Sequence, residues 1–131
     1  MGCVLIGHQH QRLSEGLRTG LLAWFEAVLM AADAASLKEG AGKLQPQLLV
    51  IDLSLAAGRL EPLLADLHRL APGSRRLVLS DYDDPMLDAL VLSQGADGVV
   101  HKTALATDLS LAVAAVMAGQ RFGDAAGAPR N

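Results

Sequence analysis

Two kinds of segment alternate along the chain. Short apolar runs rich in Val, Ile and Leu occur at Cys3–Ile6, Val28–Ala31, Leu48–Ile51, Leu77–Leu79 and Gly98–Val100. Positions that are apolar consecutively, rather than alternately, suit strands buried on both faces of a parallel sheet. Between them the spacing turns helical. Leu13, Leu17, Leu21 and Trp24 recur at about one turn, and Leu60, Leu63, Leu64 and Leu67 follow i, i+3, i+4, i+7. Leu87, Leu90 and Val91 repeat in the same way, as do Leu109, Ala112, Val113 and Val116. Asp84-Pro85 predicts a helix start, a capping acid before Pro at the first helical position, and Gly95 predicts the stop. A helix around Asp33–Ala41 is the weakest prediction, because Gly40 and Gly42 carry the conformational cost of glycine.

Five strand-then-helix units in one chain predict a doubly wound α/β sandwich with a five-stranded parallel sheet and right-handed crossovers. In such a sheet the chemistry lies beyond the carboxyl ends of the strands. Residues 1–122 are read as one domain. Residues 123–131, with no apolar period, are read as a flexible tail.

Composition narrows the class. With 131 residues, half of them hydrophobic, the chain buries enough surface to fold without staples, and a lone cysteine, Cys3, leaves no disulfide framework or cysteine-built zinc site. The formal charge of −3 provides no basic field for a phosphate backbone, so this domain by itself is not expected to bind nucleic acid. No apolar run approaches the about 20 residues that span a bilayer, and the opening residues lack the basic start of a secretory leader. The expectation is a cytoplasmic protein with no membrane association.

The polar residues at the strand ends are His8, Gln9 and His10 after the first run, Asp52 after the third, Ser80 and Asp81 after the fourth, and Lys102 after the fifth. Asp52 directly follows Leu-Leu-Val-Ile, which drives its carboxylate to the mouth of an apolar sheet. Two readings are open from position alone. Asp52 merely caps the next loop and forms a fixed ion pair with Lys102, or carboxylate, hydroxyl and ammonium serve as nucleophile, orienting group and charge stabiliser for a phosphoryl group.

Three segments add a resemblance: Leu-Leu-Val-Ile-Asp52-Leu-Ser-Leu, Leu-Val-Leu-Ser80, and Gly95-Ala-Asp-Gly-Val-Val-His-Lys102. In this order and register they resemble the signature segments of response-regulator receiver domains, over Val4 to about Phe122. Val4-Leu-Ile, Glu15-Gly16-Leu17 and Ala118-Gly119-Gln-Arg-Phe are similar to the NarL/FixJ subfamily in particular. The resemblance implies a flavodoxin-like (βα)5 three-layer sandwich, with Asp52 as phosphoacceptor and Ser80 and Lys102 contacting the phosphoryl group. It also implies a sensor histidine kinase as partner, and a helix-turn-helix domain after a linker that would contact DNA.

The chain departs from that pattern where it matters chemically. Receivers carry two adjacent acids after the first strand that hold Mg²⁺; here those positions are His8 and Gln9, and no acid precedes Glu15. A hard cation gains little from imidazole or amide, so Mg²⁺ binding is expected to be weak or absent and metal-dependent phosphorylation impaired. Lys102, or His8 when cationic, would substitute in part. Asp81 is expected to point past the site. Val99 replaces an aromatic switch residue, and Ala56 replaces a proline in the loop after the phosphoacceptor. A zinc site built on His8 and His10 is the less favoured use of those histidines. His101 is expected to face a helix interface or solvent, His68 the edge of the third helix, Cys3 the interior, and Trp24 a partly buried anchor.

Enzyme readings find no support. There is no G-x-S-x-G elbow, no G-x-x-x-x-G-K-[ST] loop, no G-x-G-x-x-G after the first strand and no D-x-H-x-x-G cobalamin pattern. The expected function is that of a receiver with an atypical acid pocket, signalling through the face made by the fourth helix, fifth strand and fifth helix. Leu87, Leu90, Val113 and Val116 are expected to serve the core, with Asp88 and Met117 exposed for contact. The alternative is a phosphorylation-independent interaction or homodimerisation module whose pocket is locked by an Asp52–Lys102 ion pair.

Overall fold

The computed structural model describes residues 2–9 and 11–123. His10 and residues 124–131 lie outside them, so neither the His8–His10 pairing nor most of the expected tail is described.

Five strands form one parallel sheet in the order β2-β1-β3-β4-β5. They are β1 (Cys3–Gly7), β2 (Ala27–Ala31), β3 (Leu48–Asp52), β4 (Arg75–Ser80) and β5 (Gly98–His101), linked by α1 (Gln11–Leu22), α2 (Ala34–Leu44), α3 (Leu60–Leu70), α4 (Pro85–Ser93) and α5 (Leu105–Met117). Short 3-10 turns follow β3 (Leu53–Ala56) and β5 (Lys102–Ala104). The doubly wound sandwich is the architecture expected from the alternating runs.

Burial on both faces explains the apolar runs of β1, β3, β4 and β5; the run at β2 was expected to be buried likewise, but β2 is an edge strand and leaves Leu29 and Met30 exposed. Leu5, Leu49, Ile51, Val78 and Val99 face a core layer completed by α2, α3 and α4 through Leu37, Ala41, Leu64, Leu67 and Val91. Their strand neighbours Val4, Ile6, Leu48, Val50, Leu77 and Leu79 face the opposite layer, closed by Leu17 and Leu21 of α1 and by Leu109, Val113 and Val116 of α5. Successive side chains of a strand point to opposite faces, so each run feeds both layers in turn.

The second helix runs on through both of its glycines. Asp33 caps it, accepting the Ser36 N–H at 2.7 Å. A Cβ on Gly40 would stand 2.9 Å from Leu5 Cδ2, so glycine lets α2 approach β1 closely. Its conformational cost is offset by packing. Asp84 caps α4 as predicted, accepting from the Met86 and Leu87 N–H groups.

The interior differs from the expectation at several side chains. Trp24 lies in the turn after α1 and is 39% exposed, partly buried as expected, while the adjacent Phe25 is the enclosed aromatic. Cys3, at the start of β1, is only partly buried. On α4 the buried face is rotated from the expected one: Leu90 is 51% exposed, whereas Asp88 is 4% exposed. Met117 packs against the α1/α5 layer rather than standing free.

After α5 the chain returns to the sheet. Phe122 bridges Gly98 beside β5, accepting the Val99 N–H at 3.0 Å and donating to the Asp97 carbonyl at 3.2 Å. Gly123 follows with φ +90°, where a Cβ would run into the Val99 carbonyl. Among the described residues no helix is long and apolar enough to cross a membrane.

Candidate functional site

The carboxyl ends of β1, β3, β4 and β5 bring His8, Asp52, Ser80 and Lys102 to one end of the sheet. Asp52 is the last residue of β3, and its carboxylate caps the 3-10 turn by accepting the Ser54 N–H through Oδ1 at 3.1 Å. Its other oxygen, Oδ2, accepts from Lys102 Nζ at 2.8 Å. His8 Nε2 stands 3.1 Å from that same Oδ2. Asp52 is fully enclosed and His8 is 1% exposed. His8 is held there by its backbone, which follows β1 and donates to the Ala31 carbonyl at 2.9 Å.

Both features of the first reading of Asp52, the loop cap and the ion pair, are therefore present in its geometry, and the His8 imidazole lies beside them. Burial pushes the Asp52 carboxyl up. The Lys102 hydrogen bond, the Ser54 N–H and the charges of Lys102 and His8 outweigh it and hold the group below its ordinary value of 3.8. For Lys102, burial acts downward, and its contacts with Asp52 and Asp81 override it, raising the ammonium above 10.5. Asp52 and Lys102 are therefore both charged at neutral pH and offset one another.

The remaining strand-end residues take other places. Ser80 is buried, yet its hydroxyl serves the β4–α4 loop: Oγ accepts the Tyr82 N–H at 3.1 Å and donates to the Tyr82 carbonyl at 3.3 Å. Gln9 is exposed. Asp81 does not point past the site; its Oδ1 lies 3.1 Å from Lys102 Nζ, half-exposed at the mouth. Lys102 also lines a groove of about 410 Å³ between α1 and α5.

One polar pair escaped sequence reasoning. His101 Nε2 lies 2.8 Å from Oδ2 of the buried Asp88, and its Nδ1 lies 3.6 Å from Asp83. His101 does face a helix interface, as expected, but its partner is a carboxylate assigned to the surface. The available signal was a histidine ending β5 with an acid four residues into α4, and it is too weak to rotate a helix. Val99, expected to stand at an aromatic switch position, is buried in the α2–α4 layer.

The donor set does not suit Mg²⁺. A hard divalent ion takes carboxylate, carbonyl and water oxygens in near-octahedral array. Here the carboxylate enclosed at this end of the sheet has both oxygens engaged, and the positions expected to carry two acids hold a buried imidazole and an exposed amide. Among the described residues no group of three His, Cys, Asp or Glu side chains is placed to hold a metal ion.

A doubly wound (βα)5 sandwich with an enclosed aspartate ending its central strand, and a lysine bonded to it from β5, defines a receiver domain. Comparison with known proteins bears this out. No family model matches the chain. The transcriptional regulatory protein RcsB of Escherichia coli K12 is 28% identical over 124 residues, covering 91% of this chain and 57% of the relative. The chain thus spans little more than half the length of the curated relatives it matches. The isolated receiver domain of RcsB from Salmonella enterica serovar Typhimurium in the apo form superposes with a TM-score of 0.81 at 29% identity, covering 93% of this chain and 92% of that one. The same domain in the presence of the phosphomimetic BeF₃⁻ gives 0.77 at 25% identity, covering 94% of each chain. The receiver domain of the response regulator NarL from Mycobacterium tuberculosis shares the fold at 24% identity, with a TM-score of 0.77 over 91% of this chain and 98% of that one. Over nearly its whole length the chain is similar in sequence and fold to the receiver domain of RcsB.

Proposed function

We propose that this receiver domain accepts a phosphoryl group on Asp52 from a sensor histidine kinase. It would pass the resulting change through α4, β5 and α5 to the rest of a transcriptional regulator. The observation that carries the reading is the enclosed Asp52 carboxylate bonded at 2.8 Å to Lys102, at the carboxyl end of the central strand. A carboxylate so placed is a nucleophile with a charge stabiliser already positioned for a transferring phosphoryl group. The RcsB receiver domain, structurally similar over nearly its whole length, has been solved with a phosphomimetic, which supports the same chemistry here. The relatives named as transcriptional regulatory proteins are nearly twice as long as the match, so DNA contact is assigned to a further domain. The net charge of −3 agrees with that division. On this reading the domain is a signalling module, not an enzyme with its own substrate.

Incubation with acetyl phosphate followed by intact-mass measurement tests the proposal. One phosphoryl adduct is expected in the parent chain and none in Asp52→Asn. An adduct that persists in Asp52→Asn would assign the chemistry elsewhere. Complete silence of the parent chain would leave the Asp52–Lys102 pair as a fixed lock, the interaction-module alternative.

A further inference from the structure

We infer that this pocket takes up its phosphoryl group without a divalent cation, His8 and Lys102 supplying in place of a metal ion the donors that meet the transferring oxygens. The inference rests on Asp52 being the phosphoacceptor and goes beyond it by stating what the reaction does not require.

Two observations converge. His8 and Lys102 place their side-chain nitrogens 3.1 and 2.8 Å from one oxygen of Asp52, and both stand at strand ends, after β1 and β5, on either side of β3. The charge count also differs from a pocket of three carboxylates, which needs a divalent ion to let its acids coexist. Here Asp52 and Asp81 face Lys102 and His8, so two negative charges meet one fixed positive charge and one imidazole. A divalent ion entering beside an ammonium and an imidazole would be repelled by the first and poorly ligated by the second. The position that carries an acid in the resembling family thus holds a group that donates to the phosphoryl oxygens directly.

The chemical step balances without metal. An oxygen of Asp52 forms a bond to phosphorus, the bond from phosphorus to the acyl oxygen of acetyl phosphate breaks, and the electron pair leaves with acetate. No proton has to move. Charge accumulating on the three peripheral phosphoryl oxygens is met by the Lys102 ammonium and the His8 N–H.

The experiment follows adduct formation by intact mass on the full chain with acetyl phosphate, in excess EDTA and in excess Mg²⁺. It compares the parent with a variant carrying both His8→Asp and Gln9→Asp. The parent is expected to react at rates within about twofold in the two conditions, and the double variant to lose about tenfold or more in EDTA. A parent that reacts only with Mg²⁺ overturns the metal-free inference and leaves Asp52 as phosphoacceptor. A parent that reacts in neither condition overturns both. Should the double variant not fold, titration calorimetry of the parent with Mg²⁺ alone decides. No saturable heat is expected, and saturable binding in the millimolar range or tighter overturns the inference.

Discussion

Two enclosed carboxylates are reached by consecutive residues of the same strand end. Lys102 turns to Asp52, and His101 turns to Asp88 on α4, on the other side of the sheet. Neighbouring residues of an extended strand point to opposite faces, so one strand end serves both regions. Their polar groups are satisfied differently. Asp52 has hydrogen-bond partners for both oxygens, Ser54 through Oδ1 and Lys102 through Oδ2, with His8 Nε2 3.1 Å from Oδ2. Asp88 has His101 on Oδ2, while its buried Oδ1 has no hydrogen-bond partner among the described residues. A satisfied network holds its geometry, whereas a half-satisfied one is where a structure gives way first. The difference predicts a more rigid setting for Asp52 than for Asp88 on α4.

Breaking the first region should have the largest effect. Lys102→Ala leaves a fully enclosed carboxylate without its main partner, and a loss of about 3 kcal/mol in urea unfolding is expected at neutral pH. Most of that loss should vanish when Asp52→Asn is already present, and a double-mutant cycle reads the coupling directly. The second region should yield less. His101→Ala is expected to cost about 1–2 kcal/mol, because Asp88 is already half unsatisfied and the site is nearer to solvent. Equal losses from the two alanine variants would erase the contrast.

The smallest effect is the one that pH reveals. The Asp52 carboxyl is held below 3.8 in the folded state, so its contribution is fully present above that value and is lost as pH falls through it. Lys102 is raised above 10.5, so its contribution is present below that value and is lost as pH climbs beyond it. Stability against pH should therefore be flat from this pair between those limits. Asp52→Asn should blunt the fall below pH 3.8, which unfolding followed across an acid series would detect.

The parts of the fold that were legible are those with redundant signals. Each strand carried three or more consecutive apolar residues, and the Asp84-Pro85 cap marked its helix without ambiguity. Asp52 and Lys102 were legible because an ionisable residue directly after an apolar run has only the sheet mouth to occupy. Asp88 was not. One acid on a short, mostly apolar helix is placed by rotation about the helix axis, and that rotation depends on His101, thirteen residues away. Trp24 and Phe25 pose the same problem at smaller scale, since adjacent aromatics compete for one buried place and local pattern does not rank them. The enclosure of His8 depends on tertiary packing too. Gly7, where a Cβ would strike Leu37 and Leu55 at 2.8 Å, lets the strand end sink between α2 and the loop after β3, carrying the next residue inward.

The return of the chain to β5 through Phe122 gives the domain a direction in which it can be pulled. Any load arriving through residues beyond Gly123 reaches first the two hydrogen bonds that tie Phe122 to Asp97 and Val99, before it reaches α5. The strand that carries His101 and ends beside Lys102 is thus also the anchor of the returning chain.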